Sequence, residues 1–184
     1  ALTALLMGCP ANNTIVENEN GPRDMLVYAA GSDIESLLPP VSQSAADSAI
    51  AQNIFMPVQD VEFDCSLKRT PDGLAKNVSW NEDGTVLKMT LRDDIKWADG
   101  TPVTAKDIKF NYDMVADPEV ASPRLSYVDQ MKADGRPKVI DDTHLEWHFT
   151  KAYDRDTQTA HASLGAVPAH VLSSLDDLKT IRSQ

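Results

Sequence analysis

The chain has 184 residues, of which 42% are hydrophobic and 24% charged, which is the usage of a folded globular domain rather than of a fibrous or low-complexity chain. Its 17 basic and 28 acidic residues give a net charge of −11, and a field of that sign repels nucleic-acid phosphates and anionic headgroups. No apolar stretch reaches the roughly 18 residues of a membrane-spanning helix. Neither a nucleic-acid partner nor a membrane span is therefore predicted.

An apolar run of eight residues precedes Cys9, and a polar stretch follows it as far as Asp24. The run is typical of the end of a secretory signal peptide, and Leu6-Met7-Gly8-Cys9 resembles the lipobox of bacterial lipoproteins. We therefore expect residues 1–8 to be a signal-peptide remnant of a longer precursor. Cys9 would be the lipidation site, and residues 9–24 would be a polar tether. A fragment of an ordinary buried helix is the alternative explanation of the run.

The first elements of the folded part are a strand and a helix. The short apolar run from Met25 to Ala30 predicts a buried strand. Ser44 is a suitable N-cap, and the apolar residues after it recur at helical spacing, which predicts a helix that ends near Met56, before Pro57. The segment from Val58 to Phe63 is a candidate for a further strand.

A β-hairpin gives the clearest signal in the sequence. Strand-like residues 74–80 and 86–92 flank Asn81-Glu82-Asp83-Gly84, a turn rich in residues that tolerate positive φ. The second strand alternates polar residues with three apolar ones: Leu87, Met89 and Leu91. The hairpin is therefore predicted to have one buried face.

A second helix is predicted to begin after Thr104, because Asp107 lies three positions further on, as in a capping box with Asp in place of Glu. Pro118 lies just past the expected end of this helix. Its apolar surface would come largely from four residues: Ile108, Phe110, Tyr112 and Val115.

Two strand-like segments follow, at Val139-Ile140 and from Leu145 to Phe149, and the turn Asp141-Asp142 separates them. In the longer of the two, alternate apolar residues share one face: Leu145, Trp147 and Phe149. The polar segment from Lys151 to His161 is ambiguous. The segment from Val167 to Leu172 predicts the opening of a short helix.

Candidate catalytic and metal-binding groups are sparse. His144, Glu146 and His148 share a strand face, but residues four apart on a strand are separated by about 13 Å, which is too far for two rings to bind one zinc ion. A pair two residues apart could chelate only with a third ligand from elsewhere, so an exposed polar face is the favoured interpretation. With no Gly-x-Ser-x-Gly elbow and no phosphate-binding glycine loop, the sequence predicts no enzyme, no metal site and no cofactor.

The run from Trp80 to Ile108, which includes Asp99-Gly100-Thr101-Pro102-Val103-Thr104-Ala105-Lys106-Asp107, resembles the signature of the family 5 extracytoplasmic solute-binding proteins. These are the peptide, dipeptide and nickel receptors of ABC importers. The resemblance covers about residues 25–175, and continues in three shorter stretches: Asp117 to Pro123, Val139 to Leu145, and Val167 to Leu172.

This resemblance implies an α+β (mixed α/β) fold, the N-terminal part of a two-lobe structure like that of the periplasmic binding proteins. Residues 25–44 would form the first strand and turn of the main lobe. Residues 45–150 would form a subdomain of hairpins and helices, and residues 151–184 would return toward the main lobe. In that family the motif residues are scaffold, so they identify the family and not the solute.

The function implied by the resemblance is that of a lipid-anchored extracytoplasmic receptor, in the periplasm or on the outer face of the bacterial cell membrane. It would capture an oligopeptide or a similar small solute and deliver it to ABC permease subunits. The alternative is a non-transport surface or sensor lipoprotein on the same scaffold.

By matching motifs, the ligand-binding residues would be Gln43, Ser44, Ala45 and Arg124. Relatives often carry an aromatic residue at the position of Arg124, so the arginine departs from the family pattern. Its guanidinium could bind a ligand carboxylate through two hydrogen bonds, or it could be a solvated surface charge.

Overall fold

Three α-helices and four β-strands make up the part of the chain that this computed structural model describes, which is residues 33–42, 44–59 and 73–172. The helices are α1 (Ala45–Ile54), α2 (Ala105–Ala116) and α3 (Arg155–His161), and the strands are β1 (Ala75–Trp80), β2 (Val86–Leu91), β3 (Lys138–Val139) and β4 (His144–His148). The predicted mixed α/β class is confirmed. Cys9, Gln43 and the predicted strand from Met25 to Ala30 lie outside the described residues, as does Val58 to Phe63 beyond Gln59.

The four strands form one antiparallel sheet in the order β1-β2-β4-β3. The predicted hairpin joins β1 to β2. In its turn Gly84 has a φ of +67°, and the Asn81 side-chain oxygen accepts hydrogen bonds from the amides of Thr85 (2.9 Å) and Val86 (3.0 Å). Because β4 pairs with β2, the sheet brings together segments that are about fifty residues apart in sequence.

One face of the sheet is buried, as predicted for the hairpin and for β4. It carries six apolar residues that are at most 3% exposed: Leu87, Met89, Leu91, Leu145, Trp147 and Phe149. Helix α2 packs on this face through the ring of Tyr112, whose centroid lies 5.9 Å from that of Trp147. Full burial of each such side chain contributes about 1.5–3 kcal/mol, so this layer is the main stabilising contact of the described part.

The caps predicted for the first two helices are confirmed. The hydroxyl of Ser44 accepts a hydrogen bond from the amide of Asp47 (2.9 Å) at the start of α1. At the start of α2, the Asp107 carboxylate accepts one from the amide of Thr104 (2.8 Å). Helix α1 ends at Ile54 and not near Met56. The backbone of Phe55 is already extended. Met56 precedes Pro57, and a residue before a proline is disfavoured in the helical conformation.

Two segments near the end of the described part follow the sheet. The ambiguous segment contains α3, which the Asp154 carboxylate caps through the amide of Thr157 (3.1 Å). In the segment from Val167 to Leu172, predicted to open a short helix, the carbonyl of Pro168 accepts hydrogen bonds from the amides of Val171 and Leu172 (both 3.0 Å) and forms a turn; the rest of that helix prediction lies outside the described residues. The amide of Ala169 donates to the Asp107 carboxylate (3.1 Å), which holds this turn against α2.

No helix among residues 33–42, 44–59 and 73–172 is long and apolar enough to cross a lipid bilayer.

The strand boundaries differ slightly from those predicted. Leu74 and Arg92 fall outside the hairpin strands, and β3 and β4 each begin one residue earlier than expected.

We predict that Asp107→Ala lowers the free energy of unfolding by about 2–3 kcal/mol, because it removes the cap of α2 and the acceptor of the Ala169 amide together. Urea denaturation of the two proteins measures the difference. The control is Asp113→Ala, which removes an exposed partner of Lys109 and should change stability by less than about 0.5 kcal/mol. Equal stability of the two variants would contradict the role given to Asp107.

Candidate functional site

A cavity of about 460 Å³ opens between the N-terminal segment, α1, α2 and the segment after α3. Its walls come from four places: Pro39 and Ser42, residues of α1 with those that follow it as far as Gln59, Asn111 with Arg124, and Ser163 to Gly165. This volume falls in the range of about 300–1,000 Å³ that small-molecule sites occupy. The cavity is therefore large enough for a small solute.

The wall formed by residues 38–42 is a turn that the sequence encodes locally. Pro39-Pro40 prevents both helix and strand, because neither proline has an N–H to donate. The carbonyl of Leu38 accepts hydrogen bonds from the amides of Val41 (3.1 Å) and Ser42 (3.0 Å) and closes the turn. Ser42 is 3% exposed, so its hydroxyl is fixed inside the fold.

Arg124 bonds to two residues of this turn, which lie 82 and 85 residues before it in the chain. Its Nε donates to the carbonyl of Pro39 (2.9 Å), and its Nη2 donates to the hydroxyl of Ser42 (3.2 Å). Guanidinium carries five N–H donors in a planar fork, so these two bonds occupy one edge of the plane. The rest of the guanidinium stays available to a bound molecule.

Ser122 makes a second attachment between the same two segments. Its hydroxyl donates to the carbonyl of Pro40 and accepts a hydrogen bond from the amide of Arg124 (3.2 Å). The preceding residue, Ala121, has a φ of +49°, which is uncommon for a residue with a side chain. The chain therefore makes an unusual bend that brings Ser122 and Arg124 against the turn.

Arg124 supplies the one formal charge among the described residues that line the cavity. The other lining residues are apolar or carry neutral hydroxyl and amide groups. A half-buried cation on a cavity wall attracts an anionic group, because the surrounding protein screens the interaction less than bulk water does. The cavity can hold a small molecule that carries a carboxylate, with hydroxyl and amide groups to complete its hydrogen bonds.

Of the four residues predicted to bind ligand, the structure describes three and places one of them at the cavity. Arg124 lines the cavity. Ser44 is the cap of α1, and Ala45 is the exposed first residue of that helix; neither lines the cavity. Gln43 lies outside the described residues. A role for these four in ligand binding stays a prediction.

Among the described lining residues the sequence analysis had predicted Arg124 alone, and Ser42 and Asn111 are two of those that it missed. Asn111 is 1% exposed, and its Nδ2 donates to the carbonyl of Gly165 (2.7 Å). The spacing of Asn111 from Ile108 and Val115 places a polar residue within the apolar stripe of α2, and that signal could have been recognised. Nothing in the sequence marks Ser42, since its contact with Arg124 is long-range.

The strand histidines are engaged separately. His144 Nδ1 lies 2.9 Å from the Asp141 carboxylate, and His148 Nε2 lies 3.1 Å from the Glu146 carboxylate. The amide of Thr143 and the ring of His144 lower the pKa of Asp141 to about 2. Within the described part of the chain, no three His, Cys, Asp or Glu side chains are grouped closely enough to hold a metal ion.

Known proteins with similar sequences are solute receptors by name. The chain is 33% identical over 158 residues to the periplasmic oligopeptide-binding protein OppA of Escherichia coli, an alignment that covers 78% of this chain and 27% of the relative. It is 34% identical over 122 residues to the periplasmic alpha-galactoside-binding protein of Rhizobium meliloti, covering 64% of this chain and 17% of that protein. The chain thus spans about a quarter or less of these relatives.

A solved structure with a similar fold is that of NikZ from Campylobacter jejuni in complex with Ni(L-His). It superposes with a TM-score of 0.65 at 25% identity, over 78% of this chain and 27% of that one. Residues 70–183 match the profile described as bacterial extracellular solute-binding proteins, family 5 Middle. The match spans the hairpin, α2, β4 and α3, so the resemblance noted in the sequence is confirmed, and the chain belongs to the family 5 bacterial extracellular solute-binding proteins.

Proposed function

We propose that this chain is part of the solute-binding component of an ABC-type importer, and that the protein captures an oligopeptide or a similar small solute for delivery to a membrane permease. The observation that carries the proposal is the 33% identity to the oligopeptide-binding protein of E. coli over 78% of the chain. Binding and release require no bond to be made or broken. The protein would act outside the cytoplasmic membrane.

The cavity supplies chemistry that suits a peptide. A free peptide ends in a carboxylate, and the donors of Arg124 that remain after its bonds to Pro39 and Ser42 can form a charge-assisted pair with it. A hydrogen bond to a charged group contributes about 1.5–3 kcal/mol. Backbone N–H and C=O groups of the solute could use the neutral polar groups of the wall.

The solute class can be tested by native mass spectrometry of the full-length gene product, purified without added solute. We expect the co-purified species to be short peptides. An α-galactoside or a nickel chelate in their place would contradict the peptide assignment while leaving the receptor role intact. The transport role is tested separately: deletion of the gene should reduce uptake of trialanine, and unchanged uptake would favour the surface or sensor lipoprotein.

Arg124 is proposed to bind the solute carboxylate. We expect Arg124→Ala in the full-length protein to raise the dissociation constant for trialanine by about 10- to 100-fold, because a charge-assisted contact is lost. Calorimetry measures this change. The control is Arg92→Ala, which removes a side chain that bonds to Asp94 (2.7 Å) outside the cavity and should leave the affinity unaltered. An unaltered affinity in Arg124→Ala would remove Arg124 from the site.

We also propose that Cys9 is acylated and anchors the protein to the membrane, on the basis of Leu6-Met7-Gly8-Cys9 and the polar residues after it. Two or more acyl chains make such attachment long-lived, since each buried methylene contributes about 0.8 kcal/mol. Expressed from the full gene in a bacterium, Cys9→Ala should lose labelling by a clickable palmitate analogue, and Cys65→Ala should keep it. Equal labelling of both variants would show that Cys9 is not the acceptor.

A further inference from the structure

The guanidinium of Arg124 makes two hydrogen bonds within the chain. Its Nε and Nη2 donate to Pro39 and Ser42, and these two N–H groups lie on the same edge of the guanidinium plane. Among the described residues, the hydrogen bonds of the Arg124 side chain are made by Nε and Nη2 and not by Nη1. The end edge, made of Nη1 and the second N–H of Nη2, is therefore free to pair with both oxygens of one carboxylate.

Ser42 links the guanidinium of Arg124 to the turn. Its hydroxyl donates to the carbonyl of Pro39 (3.3 Å), so an oxygen lone pair is left for Nη2 of Arg124. The same carbonyl of Pro39 accepts from Nε of Arg124 (2.9 Å). Arg124, Ser42 and Pro39 thus form a closed triangle of hydrogen bonds.

The triangle is itself held in place from outside. Ser42 is 3% exposed, and its backbone amide donates to the carbonyl of Leu38 (3.0 Å). The hydroxyl of Ser122 donates to the carbonyl of Pro40, a residue of the turn that lies between Pro39 and Ser42 in sequence. These bonds hold the turn on the side away from the guanidinium, so the turn supports the arginine side chain.

We propose that Ser42 is a positioning residue for solute recognition: together with the Pro39 carbonyl it fixes the plane of the Arg124 guanidinium, so that the end edge faces the cavity and binds a solute carboxylate through two hydrogen bonds. This inference rests on the proposed function. Because bonds within the chain hold the arginine, binding loses less side-chain entropy than it would with a mobile arginine. Ser42 would thus set the preference for a carboxylate over a neutral group.

The test compares trialanine with trialaninamide, which replaces the terminal carboxylate by a neutral amide. Both are titrated calorimetrically into the full-length protein and its variants. We expect the parent to bind the acid at least about tenfold more tightly than the amide. Ser42→Ala should reduce this ratio to about threefold or less, and Ser42→Thr, which keeps the hydroxyl, should restore it.

Ser79→Ala is the matched control, since Ser79 is an exposed serine of β1 outside the cavity, and it should keep the ratio of the parent. A loosened fold weakens binding of the acid and of the amide alike, so the ratio reports on positioning and not on stability. If Ser42→Ala fails to fold, Ser42→Cys has nearly the same shape with a weak acceptor and takes its place.

The titrations distinguish three results that would contradict the proposals. A parent that binds neither probe would overturn the proposed peptide receptor and this inference with it. A parent that binds both probes equally would overturn the pairing of Arg124 with a carboxylate. If Arg124→Lys loses the acid preference while Ser42→Ala keeps it, the arginine recognises the carboxylate without help from Ser42, and the positioning role is wrong.

Discussion

Three polar side chains of α2 hold the segment from His161 to Ala169, and the position of the cavity wall from Ser163 to Gly165 depends on these contacts. Asp107 accepts from the amide of Ala169 (3.1 Å), Asn111 donates to the carbonyl of Gly165 (2.7 Å), and the hydroxyl of Tyr112 donates to the carbonyl of His161 (2.6 Å). A buried backbone group left without a partner costs about 1–3 kcal/mol, so these bonds fix the path of the segment. Since α2 also packs on the sheet, one helix orients both the sheet and a wall of the cavity.

A second long-range contact completes the cavity. Ser122 and Arg124 attach to the turn formed by residues 38–42, and an apolar cluster lies beside them, with Met114, Val120 and Val167 at its centre. The walls therefore come from segments that are more than a hundred residues apart in sequence. The cavity exists because the polar contacts and the apolar cluster both hold these segments together.

The motif that identifies the family and the residues that line the cavity are different parts of the chain. None of the described lining residues comes from the stretch between Trp80 and Ile108, which forms the turn and second strand of the hairpin and the start of α2. These elements build the scaffold on which the cavity walls are placed. Recognition of a solute would depend on side chains such as Arg124, which is a cation in a protein with a net charge of −11. This division explains how relatives named for oligopeptides and for α-galactosides can share a sequence signature.

The sequence by itself determined the local structure: the hairpin with its positive-φ glycine at Gly84, the caps Ser44 and Asp107, the buried face of β4, and the family. Periodicity and turn chemistry act over a few residues, so they can be recognised without the fold. Only the tertiary structure decided that β4 pairs with β2, that the Asp107 carboxylate accepts from the amide of Ala169, and that Ser42 meets Arg124. Each of these depends on groups at least about fifty residues apart, and no local pattern encodes which distant donor meets which acceptor.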